Sequence, residues 1–122
     1  MEYKRKNSLR GEAFDFSQPA FYLITVTVQN RKKILGEVKD GQFIPNELGE
    51  LVNKILQQIP EHFPYTKLHR HQVMPDHFHG IVEIIYGNTN PLFVSYMINQ
   101  FKGKVSREAK FLNLKISFPI WQ

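Results

Sequence analysis

Residues 65–86 read YTKLHRHQVMPDHFHGIVEIIY, and this stretch decides the fold. Pro75-Asp76 is a tight-turn signal between two extended segments. Tyr65–Met74 is predicted as one strand and His77–Tyr86 as the next, with Ile81, Val82, Ile84 and Ile85 supplying β-branched content. A two-residue hairpin loop pairs Met74 with His77 and Gln72 with His79. Strand alternation then puts His77 and His79 on one face and Phe78, Gly80, Val82 and Ile84 on the other.

Outward from this hairpin, the pattern alternates between strands and helices. Tyr22, Ile24, Val26 and Val28 share one face of a half-buried strand; Leu23, Thr25, Thr27 and Gln29 share the other. Asp40-Gly41 marks a turn between two short extended pieces, Ile34–Val38 and Gln42–Ile44. Asn46 is a good N-cap for a helix whose stripe is Leu48, Leu51, Val52, Ile55 and Ile59, and Pro60 stops it. Gly49, in its first turn, is read two ways: as a site of close backbone approach or as a tolerated surface glycine. After the loop Gly87–Asn90, Asn90 caps a second helix, with Pro91 at its first position and Val94, Met97, Ile98, Phe101 and Val105 as its stripe. Phe111–Trp121 reads as a last strand. The order strand, helix, strand, strand, helix, strand predicts an α+β, ferredoxin-like sandwich. Its antiparallel sheet carries two helices on one face and exposes the His-x-His strand on the other. Residues 1–122 make a single domain, with 1–20 as a basic arm and loop.

Composition narrows the function. The 122 residues are 42% hydrophobic and 22% charged, which excludes wholesale disorder. There is no cysteine, so disulfide scaffolds, cysteine zinc sites and thiol nucleophiles are excluded. No apolar run approaches a membrane span and no signal-peptide core opens the chain, so a cytoplasmic protein without a membrane partner is expected. Sixteen Lys and Arg against eleven Asp and Glu leave a net charge of +5. The excess is clustered: Lys4, Arg5, Lys6 and Arg10; Arg31, Lys32 and Lys33; Lys102, Lys104, Arg107, Lys110 and Lys115. Clustering of this kind suits a polyanionic partner, although a solvated helix face carries it too. Lys102, Lys104, Arg107, Arg31 and Arg70 are the candidate nucleic-acid contacts, Lys102 foremost.

His77 and His79 are the candidate metal ligands. On a strand, i and i+2 project the same way, about 6.6 Å apart, within reach of one ion. Two imidazoles are half a site for a hard divalent cation, which also wants oxygen. Glu83 is about 13 Å along the strand, too far for the same ion. Asp76 points away unless the turn redirects it. His69-Arg70-His71 repeats the spacing on the neighbouring strand. The predicted register puts Arg70 and Gln72 on the His77 face and His69 and His71 on the other; a one-residue slip reverses this.

Val73-Met74-Pro75-Asp76-His77-Phe78-His79-Gly80-Ile81 resembles the His-hydrophobe-His signature of the HUH single-strand DNA nucleases. More narrowly, the chain looks like the REP-associated tyrosine transposases and their insertion-sequence relatives. The likeness includes Phe14–Pro19 with Phe21–Thr25, Thr27–Arg31, Asn46-x-x-Gly49, Phe101-Lys102 and the closing Pro119-Ile120-Trp121-Gln122. It implies the same ferredoxin-like sandwich and a Mg²⁺ or Mn²⁺ ion held by the two histidines and a third polar residue. It further implies single-stranded or hairpin DNA as partner, a homodimer, and strand cleavage and rejoining through a 5′-phosphotyrosine link. Asp76 stands where the family usually has Asn. The family's nucleophilic tyrosine and third ligand follow the Trp-Gln that here is Trp121-Gln122, so both are expected beyond Gln122, and the 122 residues alone are expected to bind DNA without cleaving it. Of the internal tyrosines, Tyr96 with Gln100 mimics a nucleophile with a neighbouring ligand but reads as a core-edge aromatic. Two other classes fit the residues: a non-catalytic ferredoxin-like module for single-stranded DNA or RNA, and a zinc- or manganese-dependent hydrolase using the histidine pair.

Overall fold

The structure, a computed structural model, describes residues 2–5, 20–85 and 91–122. The loop and remaining basic residues of the arm (6–19) and the Asn90 cap lie outside the described residues. The elements of the described residues follow in order: β1 Glu2–Arg5, β2 Ala20–Thr27, a 3-10 turn Gln29–Arg31, β3 Gly36–Lys39, β4 Gln42–Pro45, α1 Glu47–Gln57, α2 Ile59–His62, β5 Thr66–Met74, β6 His77–Ile84 and α3 Pro91–Phe111. The main sheet is antiparallel, in the order β1-β2-β6-β5, and β3-β4 form a separate hairpin. The expected α+β class with an antiparallel sheet and helices is what the chain adopts.

One face of the sheet is covered. Tyr22, Ile24 and Val26 of β2 and Phe78, Val82 and Ile84 of β6 are all buried, alternating with partly exposed neighbours. Against them lie Leu48, Leu51, Val52 and Ile55 of α1 and Val94, Met97, Ile98, Phe101 and Val105 of α3. Both helical stripes are those that the periodicity predicts. Asn46 caps α1, its Oδ1 accepting from the Gly49 amide at 2.9 Å. The helix breaks at Gln58 rather than after Ile59, because Pro60 falls in the first turn of α2, where its missing N–H costs nothing. Asp40 and Gly41 both have positive φ, 53° and 76°, as a hairpin turn twisted to match its strands requires.

Two expectations are corrected. The first concerns Phe111–Trp121, which is not a strand. α3 runs on to Phe111 and ends in a left-handed Asn113 (φ 59°), with Leu114 N–H donating to Ala109 O and Asn113 N–H to Lys110 O. The edge of β2 that a last strand would take is occupied by β1, so Glu2–Arg5 of the supposed arm is a strand. β1 covers β2 only from Tyr22 to Thr25. Beyond it the C-terminal segment continues the edge for one bridge, Val28 with Trp121, flanked by Gln29 N–H to Ile120 O and Gln122 N–H to Thr27 O. Ile116–Ile120 therefore form no strand and offer no unpaired strand edge.

The second correction is a β-bulge in β5 between Leu68 and His71. Two residues, His69 and Arg70, stand opposite Ile81 alone, which changes the facing of one of them.

Candidate functional site

The hairpin turn is built into the fold from both sides. Val28 N–H donates to Asp76 O at 2.9 Å and Leu35 N–H to Pro75 O at 3.0 Å, so the segment leaving β2 straps the turn in place. Leu35 is fully buried and its own carbonyl accepts from Asn46 N–H at 3.1 Å, tying the strap to the start of α1. Phe78 anchors β6 from the covered side, its ring 4.9 Å from Phe101 and 5.6 Å from Trp121. Trp121 is thus core.

With Phe78 buried between them, His77 and His79 project onto the sheet face opposite α1 and α3. The register is the predicted one, Met74 with His77 and Gln72 with His79, and on the other side Thr27 and Thr25 flank the two rings. The imidazoles stack with centroids 5.6 Å apart and planes 28° from parallel. The turn does redirect Asp76, which the sequence leaves pointing away. Its Oδ1 accepts from His77 Nδ1 at 2.7 Å and its Oδ2 from Arg31 Nε at 3.3 Å. The hydrogen bond from His77, then that from Arg31, hold the Asp76 carboxyl below its ordinary value against the opposing effect of burial. Asp76 is thereby spoken for: it orients His77 through Nδ1, which leaves Nε2 as the ring nitrogen open to a ligand. Among the described residues no three His, Cys, Asp or Glu side chains gather as a metal cluster.

The other candidates divide between two places. Arg70 is exposed and lines a groove of about 380 Å³ with Leu23, Gln72, His79 and Ile81, beside the histidines. Arg31 also stands at this end, on Asp76. His69 was expected on the covered face, but the bulge turns it to the open one, where its Nε2 lies 2.8 Å from Glu83 Oε1 and its ring 5.5 Å from Phe21. Lys102 donates to the Gln122 main-chain oxygen at 3.1 Å, and burial pushes its ammonium pKa down. That contact sets it near the end of the sheet where Gln122 meets Thr27, approached from the helical layer. Lys104 and Arg107 lie away from His77 and His79, in a groove between α2 and α3. The bracing role of Asp76 had a sequence signal, a carboxylate next to a histidine in a tight turn. The His69–Glu83 pair had none, because it depends on the bulge.

No family model matches the chain. An uncharacterized protein of Haemophilus influenzae (strain ATCC 51907 / DSM 11121 / KW20 / Rd) is 32% identical to it over 80 residues, which is 66% of this chain and 44% of that protein. The solved structure of a REP-associated tyrosine transposase bound to a REP hairpin matches with a TM-score of 0.56 at 18% identity, over 94% of this chain and 57% of that one. The chain spans about half the length of these proteins. At 18% identity the likeness is one of fold. Among the described residues no helix is long and apolar enough to cross a membrane.

Proposed function

We propose that this chain is the DNA-handling domain of an HUH-type transposase, on a ferredoxin-like sandwich in which the N-terminal strand takes the fourth place. The observation that carries the reading is the pair His77 and His79 on the open sheet face, with His77 braced by Asp76, in a fold shared with a transposase bound to a DNA hairpin.

The residues fit a divalent ion, Mg²⁺ or Mn²⁺, as part of its donor set. Two neutral imidazoles would hold it, and further oxygen donors are needed to complete it. Such an ion, when bound, polarises the scissile phosphate. The chain's own residues do the rest. Asp76 keeps the His77 Nδ1 proton, so that Nε2 offers its lone pair outward. Arg31 neutralises Asp76, so the carboxylate does not repel an approaching phosphate. Arg70 stands beside His79, where a backbone phosphate of a strand crossing the sheet would meet it. Lys102 lies where the chain leaves Thr27. In this reading the third ligand and the tyrosine that takes the phosphate follow Gln122, as the resemblance has them, and the bound Gln122 N–H starts that segment beside the register partner of His77. The protein that carries the full set acts as a homodimer, and sedimentation checks this.

The test uses a labelled DNA hairpin with a single-stranded tail, a random duplex of equal length, and Mn²⁺ titrated calorimetrically. The tailed hairpin should bind more tightly at physiological salt, and Mn²⁺ affinity should fall at least tenfold in His77→Ala and in His79→Ala. Equal affinity for the two DNAs, together with unchanged Mn²⁺ binding in both variants, would overturn the reading. Preferred single-strand binding with no metal dependence would leave the non-catalytic module instead. With the 122 residues and Mn²⁺, denaturing electrophoresis should show no protein–DNA adduct.

A further inference from the structure

The groove between α2 and α3 is on the helical side of the molecule, away from His77 and His79, and the reading above leaves it without a role. It holds about 320 Å³. One end is aromatic. Tyr96 is 54% exposed, although the sequence reads it as a core-edge ring, and it meets Phe63 edge-on at 6.5 Å and 88°. Phe93 backs both rings, 5.9 Å from Phe63 and 6.3 Å from Tyr96. The other end is cationic. Lys104 Nζ donates to Gln58 Oε1 at 3.0 Å and to His62 Nε2 at 2.9 Å, which fixes the ammonium at the groove wall. Arg107 lies back along α3 over Gly103: a Cβ there would come within 3.0 Å of its Nη1.

These residues follow one face of α3 at i, i+4, i+8 and i+11: Tyr96, Gln100, Lys104 and Arg107. The axial distance from Tyr96 to Lys104 is about 12 Å. Among the described residues no carboxylate lines the groove, and neither Lys104 nor Arg107 has a carboxylate within ion-pair distance. An aromatic face, an exposed amide and two cations with no counter-charge, in that order along a channel, match the parts of a nucleotide strand: base, base edge, phosphates.

We propose that this groove is a second single-strand contact, in which one unpaired base stacks on Tyr96 and the flanking phosphates meet Lys104 and Arg107. The proposal rests on the nucleic-acid reading above but not on the histidines or a metal. An acidic peptide would satisfy the two cations and leave the aromatic end without use, so the strand is the better occupant.

The probe is fluorescein-labelled oligothymidylate in EDTA, followed by anisotropy, with amide NMR spectra of the same complexes. Tyr96→Leu should weaken binding roughly tenfold to a hundredfold, and Tyr96→Phe, which keeps the ring, should stay within about twofold of the parent. Lys104→Gln and Arg107→Gln should each flatten the dependence of log affinity on log salt by about 0.7. If the parent chain does not bind oligothymidylate, the groove proposal is overturned, while the reading under Proposed function is decided separately by the tailed hairpin and Mn²⁺. If it binds and Tyr96→Leu matches the parent, the groove proposal alone is overturned. Polyglutamate shifting the Tyr96 and Gln100 amides while oligothymidylate does not would also overturn it, in favour of a peptide site.

Discussion

Gly49→Ala separates the two readings that the sequence leaves open for this glycine, and they predict opposite signs. An exposed glycine in a first helical turn gains up to about 1 kcal/mol on becoming alanine. Here, however, a Cβ would run into the carbonyl oxygen of Leu35 and lie 3.1 Å from its carbonyl carbon. Both are backbone atoms, so no rotamer relieves the contact. The strap must move, and overpacking of this kind costs about 1–3 kcal/mol. Moving Leu35 also strains two hydrogen bonds, Asn46 N–H to Leu35 O and Leu35 N–H to Pro75 O; losing one adds about 1–3 kcal/mol. Against the helical gain, the net destabilisation is about 1–5 kcal/mol. For a domain of this size each kcal/mol lowers the melting temperature by about 4 °C, so a fall of about 4–20 °C is expected by circular dichroism. The perturbation should also reach the histidines, since Pro75 precedes Asp76: the His77 ring signals should broaden or shift in NMR, although residue 49 is on a helix. A variant that melts at or above the parent temperature, with His77 signals unmoved, would refute this account of the strap.

Three further outcomes follow from the same geometry. Phe78→Ala removes a fully buried ring packed on Phe101 and Trp121 and should cost about 3–5 kcal/mol in urea unfolding, while His79→Ala, on the open face, should cost less than 1. Asp76 has a lowered folded-state pKa, so its ion pair contributes stability above its ordinary value of 3.8 that is lost as pH falls through the folded value; Asp76→Asn should flatten the acid limb of the stability curve below about pH 4, and superimposable limbs would remove Asp76 as a charged brace. Lys102→Ala should weaken a tailed hairpin and an unrelated single strand by the same factor, whereas a change in preference between them would assign Lys102 to base readout.

The sequence by itself determined the elements whose signals are local. The alternation of β2 and β6, the stripes of α1 and α3, the Asn46 cap and the Pro75-Asp76 turn each depend on residues within a few positions of one another. The turn length alone set the register of His77 and His79, and with it the face they share. Tertiary structure decided what depends on competition between distant segments. Phe111–Trp121 carries strand-like residues, but a sheet edge pairs once, and β1 holds the edge of β2 that this segment would need. Asn113 in the left-handed region was the one local sign that α3 ran on instead. His69 faces Glu83 because a single extra residue in β5 breaks the period of two, and no residue type announces a bulge. Asp76 reaches His77 and Arg31 because Val28 and Leu35 hold the turn from across the fold. The basic residues of α3 lie close together in sequence, yet a helix turns each residue by 100°, so Lys102 goes to Gln122 while Lys104 and Arg107 go to the groove beside Tyr96.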